Sequence, residues 1–226
     1  MKHPAKFRRT AAAAGLAATA VLSVLSIALA PEFPSGFEDR LAAVEAGGTT
    51  ATVSALAFVL AQLPFVAGVL GLGHLLRDRS PLLSNLGTSL AVVGAFGHSV
   101  FGGVLLVQLT MAADSANRSV HAPVLESLES GPAVAFMAMG LLGTVLGLVL
   151  LAVGLWRGRV GPQWAGPALI AFVMVEFAGS GISEWAAYVS GVLYLVTFVA
   201  LATAVWRSPV ATWQQTVLER SPELRH

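Results

Sequence analysis

Residues 132–156 read PAVAFMAMGLLGTVLGLVLLAVGLW and are followed at once by Arg157-Gly158-Arg159. The stretch contains no charged residue, and its one hydroxyl is Thr144. An uninterrupted apolar run of ~20 residues is what a helix needs to cross a hydrocarbon core of ~30 Å. Trp156 and the two arginines behind it have the chemistry of an interfacial anchor. Gly140, Gly143, Gly147 and Gly154 recur at helical spacing and form a small-residue ridge containing one G-x-x-x-G. Such a ridge lets two helix backbones approach closely. Gly140, Gly143 and Gly147 are therefore the expected helix-packing residues, against another helix of this chain or a second copy.

Five further runs flank this one. Together the six occupy about 10–30, 50–76, 86–112, 132–156, 165–182 and 185–206, with a tail at 207–226. Of the 226 residues, 56% are hydrophobic and 11% charged, and the mean hydropathy is +0.77. A soluble domain carries about 25% charge, so this inventory cannot cover a water-exposed surface. The expected fold is all-α: one integral membrane domain over 1–226, a six-helix polytopic bundle with short loops. The net charge of +1 gives no electrostatic footprint for nucleic acid, and the lipid bilayer is the expected partner. The absence of cysteine excludes disulfides, thiolate metal sites and iron–sulfur clusters. Lysine occurs only at Lys2 and Lys6 against eleven arginines, and isoleucine is scarce beside Ala, Val and Leu. That bias resembles a high-GC bacterial coding sequence and points to a plasma membrane.

The basic residues set an orientation. Lys2, Lys6, Arg8, Arg9, Arg77, Arg79, Arg157, Arg159, Arg207, Arg220 and Arg225 fall on one side of the six runs, and only Arg40 and Arg118 on the other. The positive-inside rule then places both termini in the cytoplasm. The first run, behind its basic stretch and ending Ala28-Leu29-Ala30, resembles a signal peptide. Its length and Pro31 at the position after the cut argue for a retained helix, with cleavage before Pro31 as the alternative.

Several connecting segments have a pattern of their own. Ser35-Gly-Phe-Glu38 reads as a capping box opening a short amphipathic helix with Phe37, Leu41 and Val44 on one face and Gly47 as its stop. Val124, Leu125 and Leu128 suggest a second such turn after Pro123. Both are expected to rest on lipid headgroups, with a lid over the bundle as the other reading. Pro64 should kink the second run. In the tail, Ser208-Pro209 opens a short helix whose Val210, Trp213 and Val217 stripe should lie on the inner leaflet. The hairpins at 72–81 and 151–162 share an outline of basic residues, Gly and Pro, a weak hint of an internal repeat.

Polar groups inside a membrane are expensive, which makes each a candidate for function. Glu176, His98 and Gln62 all lie roughly 16–21 Å from the basic end of their helices, and Tyr194, Thr144 and Ser23 reach the same level. The candidate intramembrane site is thus Glu176, His98, Gln62 and Tyr194, with one polar group from every run in a single layer. A carboxylate and an imidazole in low dielectric are suited to relaying protons or holding a cation. The same groups suit a buried hydrogen-bonded cluster that fixes helix packing.

Other chemistries lack their residues. Bis-histidine haem needs two histidines at one depth, whereas His74 lies roughly 3 Å and His98 roughly 21 Å in. A retinal Schiff base needs a membrane lysine. Gly179-Ser180-Gly181 has no histidine in the sixth run to activate its hydroxyl. No metalloprotease or P-loop motif occurs. The sequence therefore implies no catalytic residue, no cofactor and no metal. Two functional classes remain: a non-enzymatic accessory, scaffold or sensor-like subunit acting through helix contacts, with a helix–helix partner or homo-oligomer; or a small proton-coupled transporter or permease using Glu176 and His98.

Overall fold

The computed structural model describes residues 3–179, 183 and 185–214. Among these, regular structure is helical throughout: α1 (His3–Leu29), α2 (Phe37–Leu76), α3 (Pro81–Ala113), α4 (Arg118–Ser130), α5 (Ala133–Gly158), α6 (Ala165–Gly179) and α7 (Ala186–Arg207), with 3-10 turns at Ser115–Asn117 and Val210–Trp213. Five of them (α1, α2, α3, α5 and α7) are long and apolar enough to cross a membrane. The chain is by that measure a multi-pass membrane protein. At 15 described residues α6 covers about 22 Å of axis, short of the ~30 Å core.

The long helices and α6 form a ring in chain order. α1 packs on α2, α2 on α3, α3 on α5, α5 on α6 and α6 on α7, and α7 closes on α1. Side-chain contacts identify the two ends. Arg9 Nη1 donates to the Ser208 carbonyl at 3.0 Å and Arg79 Nη1 to that of Gly158 at 2.7 Å, which gathers the arginine-rich ends of α1, α2, α5 and α7 together. At the opposite end Arg40 Nη1 donates to both carboxylate oxygens of Glu129 (2.7 and 2.8 Å), and Arg118 pairs with Glu45. These two pairs tie the start of α2 to α4.

The α3–α5 contact has a local cause in glycine. A Cβ built on Gly147 would stand 2.4 Å from the Ala91 nitrogen, and one on Gly97 2.3 Å from the Gly140 nitrogen. The backbones touch because neither helix has side chains there. The ridge of Gly140, Gly143 and Gly147 thus faces α3 of the same chain. Leu148, which a simple ridge assignment turns outward, is 1% exposed and packs inward.

Other expectations need correction. The capping box does not form: Gly36 is the N-cap of α2 and no side chain caps it. Pro64 keeps helical dihedrals, and the break in α2 falls instead at Gly48 (φ 50°, ψ −117°), one residue beyond the predicted stop. The amphipathic segments are packed on one another. Leu41 and Val44 meet Ala122 and Leu125 in a small core of their own, a cap at the acidic end of the bundle. α4 begins before Pro123, and Val124 points outward. The tail folds back on the bundle: Trp213, 2% exposed, stacks on His74 at 4.6 Å between ring centroids. Val217 and the end of the fifth run (180–182) lie outside the described residues.

Candidate functional site

On α1, Thr19, Ser23 and Ser26 follow one another at i, i+4 and i+7 and so share a face. That face looks into a cavity of about 130 Å³ at the centre of the ring. Gln62 of α2, His98 of α3, Thr144 of α5, Glu176 of α6 and Tyr194 of α7 line the same space. The polar layer counted along the sequence therefore converges on one chamber. Depth counting succeeds because rise per residue is fixed at 1.5 Å in any α-helix.

The partners within the chamber differ from the expected Glu176–His98 pair. His98 Nδ1 lies 3.5 Å from Thr144 Oγ1, and its ring packs edge-on to Phe58 at 5.7 Å. Glu176 Oε2 is hydrogen-bonded to Ser190 Oγ. Gln62 Nε2 donates to the Phe58 carbonyl at 2.9 Å, a local bond within its own helix. Tyr194 Oη meets Thr19 Oγ1 at 3.4 Å, and its ring stacks on Phe198 at 4.0 Å. The three side chains do not come from three mutually packed helices: α2 packs on α3, but neither is a main neighbour of α6. α6 sits between α5 and α7, across the ring from α2, and the three side chains meet because they line the central space.

Ser190 has one proton and two acceptors within reach, Glu176 and the Ala187 carbonyl at 2.8 Å. It satisfies an ionised Glu176 by donating to the carboxylate. It satisfies a protonated Glu176 by turning to Ala187 and accepting from the carboxyl. One hydroxyl rotation thus serves both protonation states, and neither leaves a buried polar group unpaired.

A second cavity of about 300 Å³ lies towards the acidic end and shares Ser26, Ile27, Phe58 and Glu176 with the first. It is otherwise walled mainly by apolar side chains of α1, α2 and α3, with the Gln108 amide as an exception. Sequence reasoning missed Gln108, Ser190, Thr19 and Ser26. The hydroxyl stripe on α1 was a readable signal, and so was Ser190 one turn before Tyr194. Gln108, in the third run, was readable by the same rule, but it lies ten residues, about 15 Å, beyond His98 and so outside the counted layer. Outside the membrane-spanning helices, Asp114 accepts hydrogen bonds from His121 and Asn117, which hold its carboxyl below the usual range. No group of three or more His, Asp or Glu that could hold a metal occurs among the described residues.

Fold and site together define a multi-pass helical membrane protein with a polar chamber at the centre of its helix ring. No protein family, no curated protein and no solved structure matches the chain.

Proposed function

We propose that this chain is a small proton-coupled transporter of the plasma membrane. In this reading it crosses six times with both termini in the cytoplasm, and Glu176 is its coupling carboxylate. One observation carries the reading: Glu176, His98, Gln62 and Tyr194, from four helices, line one chamber. Ser190 supports it by offering Glu176 a satisfied hydrogen bond whether or not the carboxyl holds a proton. His98 and Thr144 supply further groups across the chamber for relaying that proton. The six-crossing count requires α6 to complete its span through the residues after Gly179.

The accessory or scaffold reading draws on the backbone contact of α3 and α5, the hallmark of a rigid helix pair. The two readings separate on Glu176→Gln, which keeps size and hydrogen bonding but cannot release a proton. Reconstituted in vesicles with an interior pH dye, the transporter should lose proton movement in Glu176→Gln while remaining as abundant and as heat-stable as the parent. Proton flux that persists in Glu176→Gln, or any loss of flux that merely follows loss of protein, would refute the transport assignment. Glu176→Leu should be the more damaging change to the fold, because it sets an aliphatic side chain among the polar groups that line the chamber.

A further inference from the structure

The larger cavity joins three features not used so far. Gln108 is 2% exposed, and its Nε2 has no hydrogen-bond partner among the described residues. A buried amide donor left unpaired is costly, and this one lines the cavity. Glu176 lines the cavity as well as the central chamber, and no lysine or arginine lines either space. The cavity wall on α3 runs from Phe101 to Leu109, about 12 Å of helix axis. Its remaining surface is largely aliphatic and aromatic, including Phe58 and Phe101.

These features describe a ligand from the inside. Among the described residues the one formal charge lining this cavity is the Glu176 carboxylate, so the ligand's charged end is a cation. The unpaired amide hydrogen calls for an acceptor oxygen at a distance from that cation. The apolar wall between them calls for a hydrophobic body. We propose that the larger cavity is a binding site for elongated amphiphilic amines, the ammonium group against Glu176 and a carbonyl or ether oxygen against Gln108. Phe58, which lines both spaces together with Glu176, is an aromatic group of the kind that attracts a cation. An ammonium and a proton exclude one another at one carboxylate, so where Glu176 carries a transported proton the amine displaces it. The proton release rests on Glu176 as the coupling carboxylate; the placement of the amine does not.

The test uses the full chain in lipid nanodiscs and radiolabelled procaine, a tertiary amine with an ester carbonyl, with empty nanodiscs to subtract partition into lipid. Saturable binding is expected. Glu176→Gln should weaken it by about tenfold or more, the scale of a lost charge-assisted bond. Gln108→Leu should weaken it by about threefold or more. A neutral analogue with carbon in place of the amine nitrogen should show no binding above empty nanodiscs, a comparison made on the unaltered protein and independent of how the variants fold. Uptake no greater than in empty nanodiscs overturns the proposal, as does saturable binding indifferent to both substitutions. Binding lost in Glu176→Gln but unchanged in Gln108→Leu overturns the placement in the larger cavity. Saturable amine binding without proton release upholds the site and tells against the coupling role of Glu176. Proton flux that depends on Glu176 in a protein that ignores the amine does the reverse.

Discussion

At the scale of single residues, the same side chain means different things according to what surrounds it. Leu72 is 1% exposed and Leu63 80%, yet both sit in the apolar part of α2. In water that difference would show as an amphipathic pattern, but lipid tails are as apolar as leucine and remove the driving force behind it. Polar residues escape this ambiguity, because each must find a partner or a cavity. For that reason Gln62, His98, Glu176 and Tyr194 could be placed in one layer from sequence, while the inward turn of Leu148 could not. Glycine shows a second dependence on surroundings. Gly48 and Gly103 both have open space where a Cβ would stand, but only Gly48 has a positive φ, of 50°. Gly48→Ala should therefore destabilise by about 1–3 kcal/mol through backbone strain alone. Gly103→Ala, in the middle of α3, should be neutral or stabilising by up to about 1 kcal/mol. Thermal unfolding of the two variants in the same detergent checks this, and equal midpoints would show that the Gly48 backbone relaxes freely.

Between elements, what the sequence could not supply was the identity of neighbours. The small-residue ridge of α5 announced a close contact but not its partner. The answer lay in the matching row of α3, where Gly87, Ala91, Gly94 and Gly97 follow the same spacing. A Cβ on Gly147 meets backbone, which cannot step aside, whereas the nearest atom to one on Gly154 is the tip of Leu76 at 3.3 Å. Gly147→Ala should thus push the two helices apart and cost about 1–3 kcal/mol. Gly154→Ala should stay within about 0.5 kcal/mol, as for ordinary tolerated positions. Melting temperatures of the purified variants decide the matter; a Gly147→Ala protein as stable as its parent would mean that the α3–α5 pair is looser than its geometry. The connecting segments were misread for a related reason. An amphipathic helix at a membrane surface and one capping a bundle carry the same stripe, and only the partner distinguishes them. Here Arg40 and Arg118 supply the deciding contacts by pairing with Glu129 and Glu45. His74 and Trp213 do the same for the tail: His74 Nε2 donates to the Thr212 carbonyl at 3.0 Å while Nδ1 accepts from Arg77.

For the whole molecule, the two ends of the helix ring make different contacts. The two arginines at the acidic end are each paired with a carboxylate of the same cap. Arg9 and Arg79 at the opposite end donate to backbone carbonyls, which leave their charge in place. The orientation proposed above, with the basic end in the cytoplasm, rests on the count of lysine and arginine alone. The absence of cysteine makes this testable with single introduced thiols. Ser35 and Ser119 are exposed at the acidic end, and Ser183 follows α6. Cysteines at these three positions should react with a membrane-impermeant maleimide added to intact cells. For the basic end, Ser80 in the α2–α3 turn and Gln163 in the α5–α6 turn should react only after the cells are opened. Gln163 is the better choice than its neighbour Gly161, whose φ of 74° resists any side chain. Ser183 carries the most information, because it reports on α6. If α6 and the residues after it complete a crossing, Ser183→Cys labels from outside and Gln163→Cys does not. Labelling of both positions from one side would contradict the contact of Ser208 with Arg9 at the far end of α7 and would overturn the six-crossing topology.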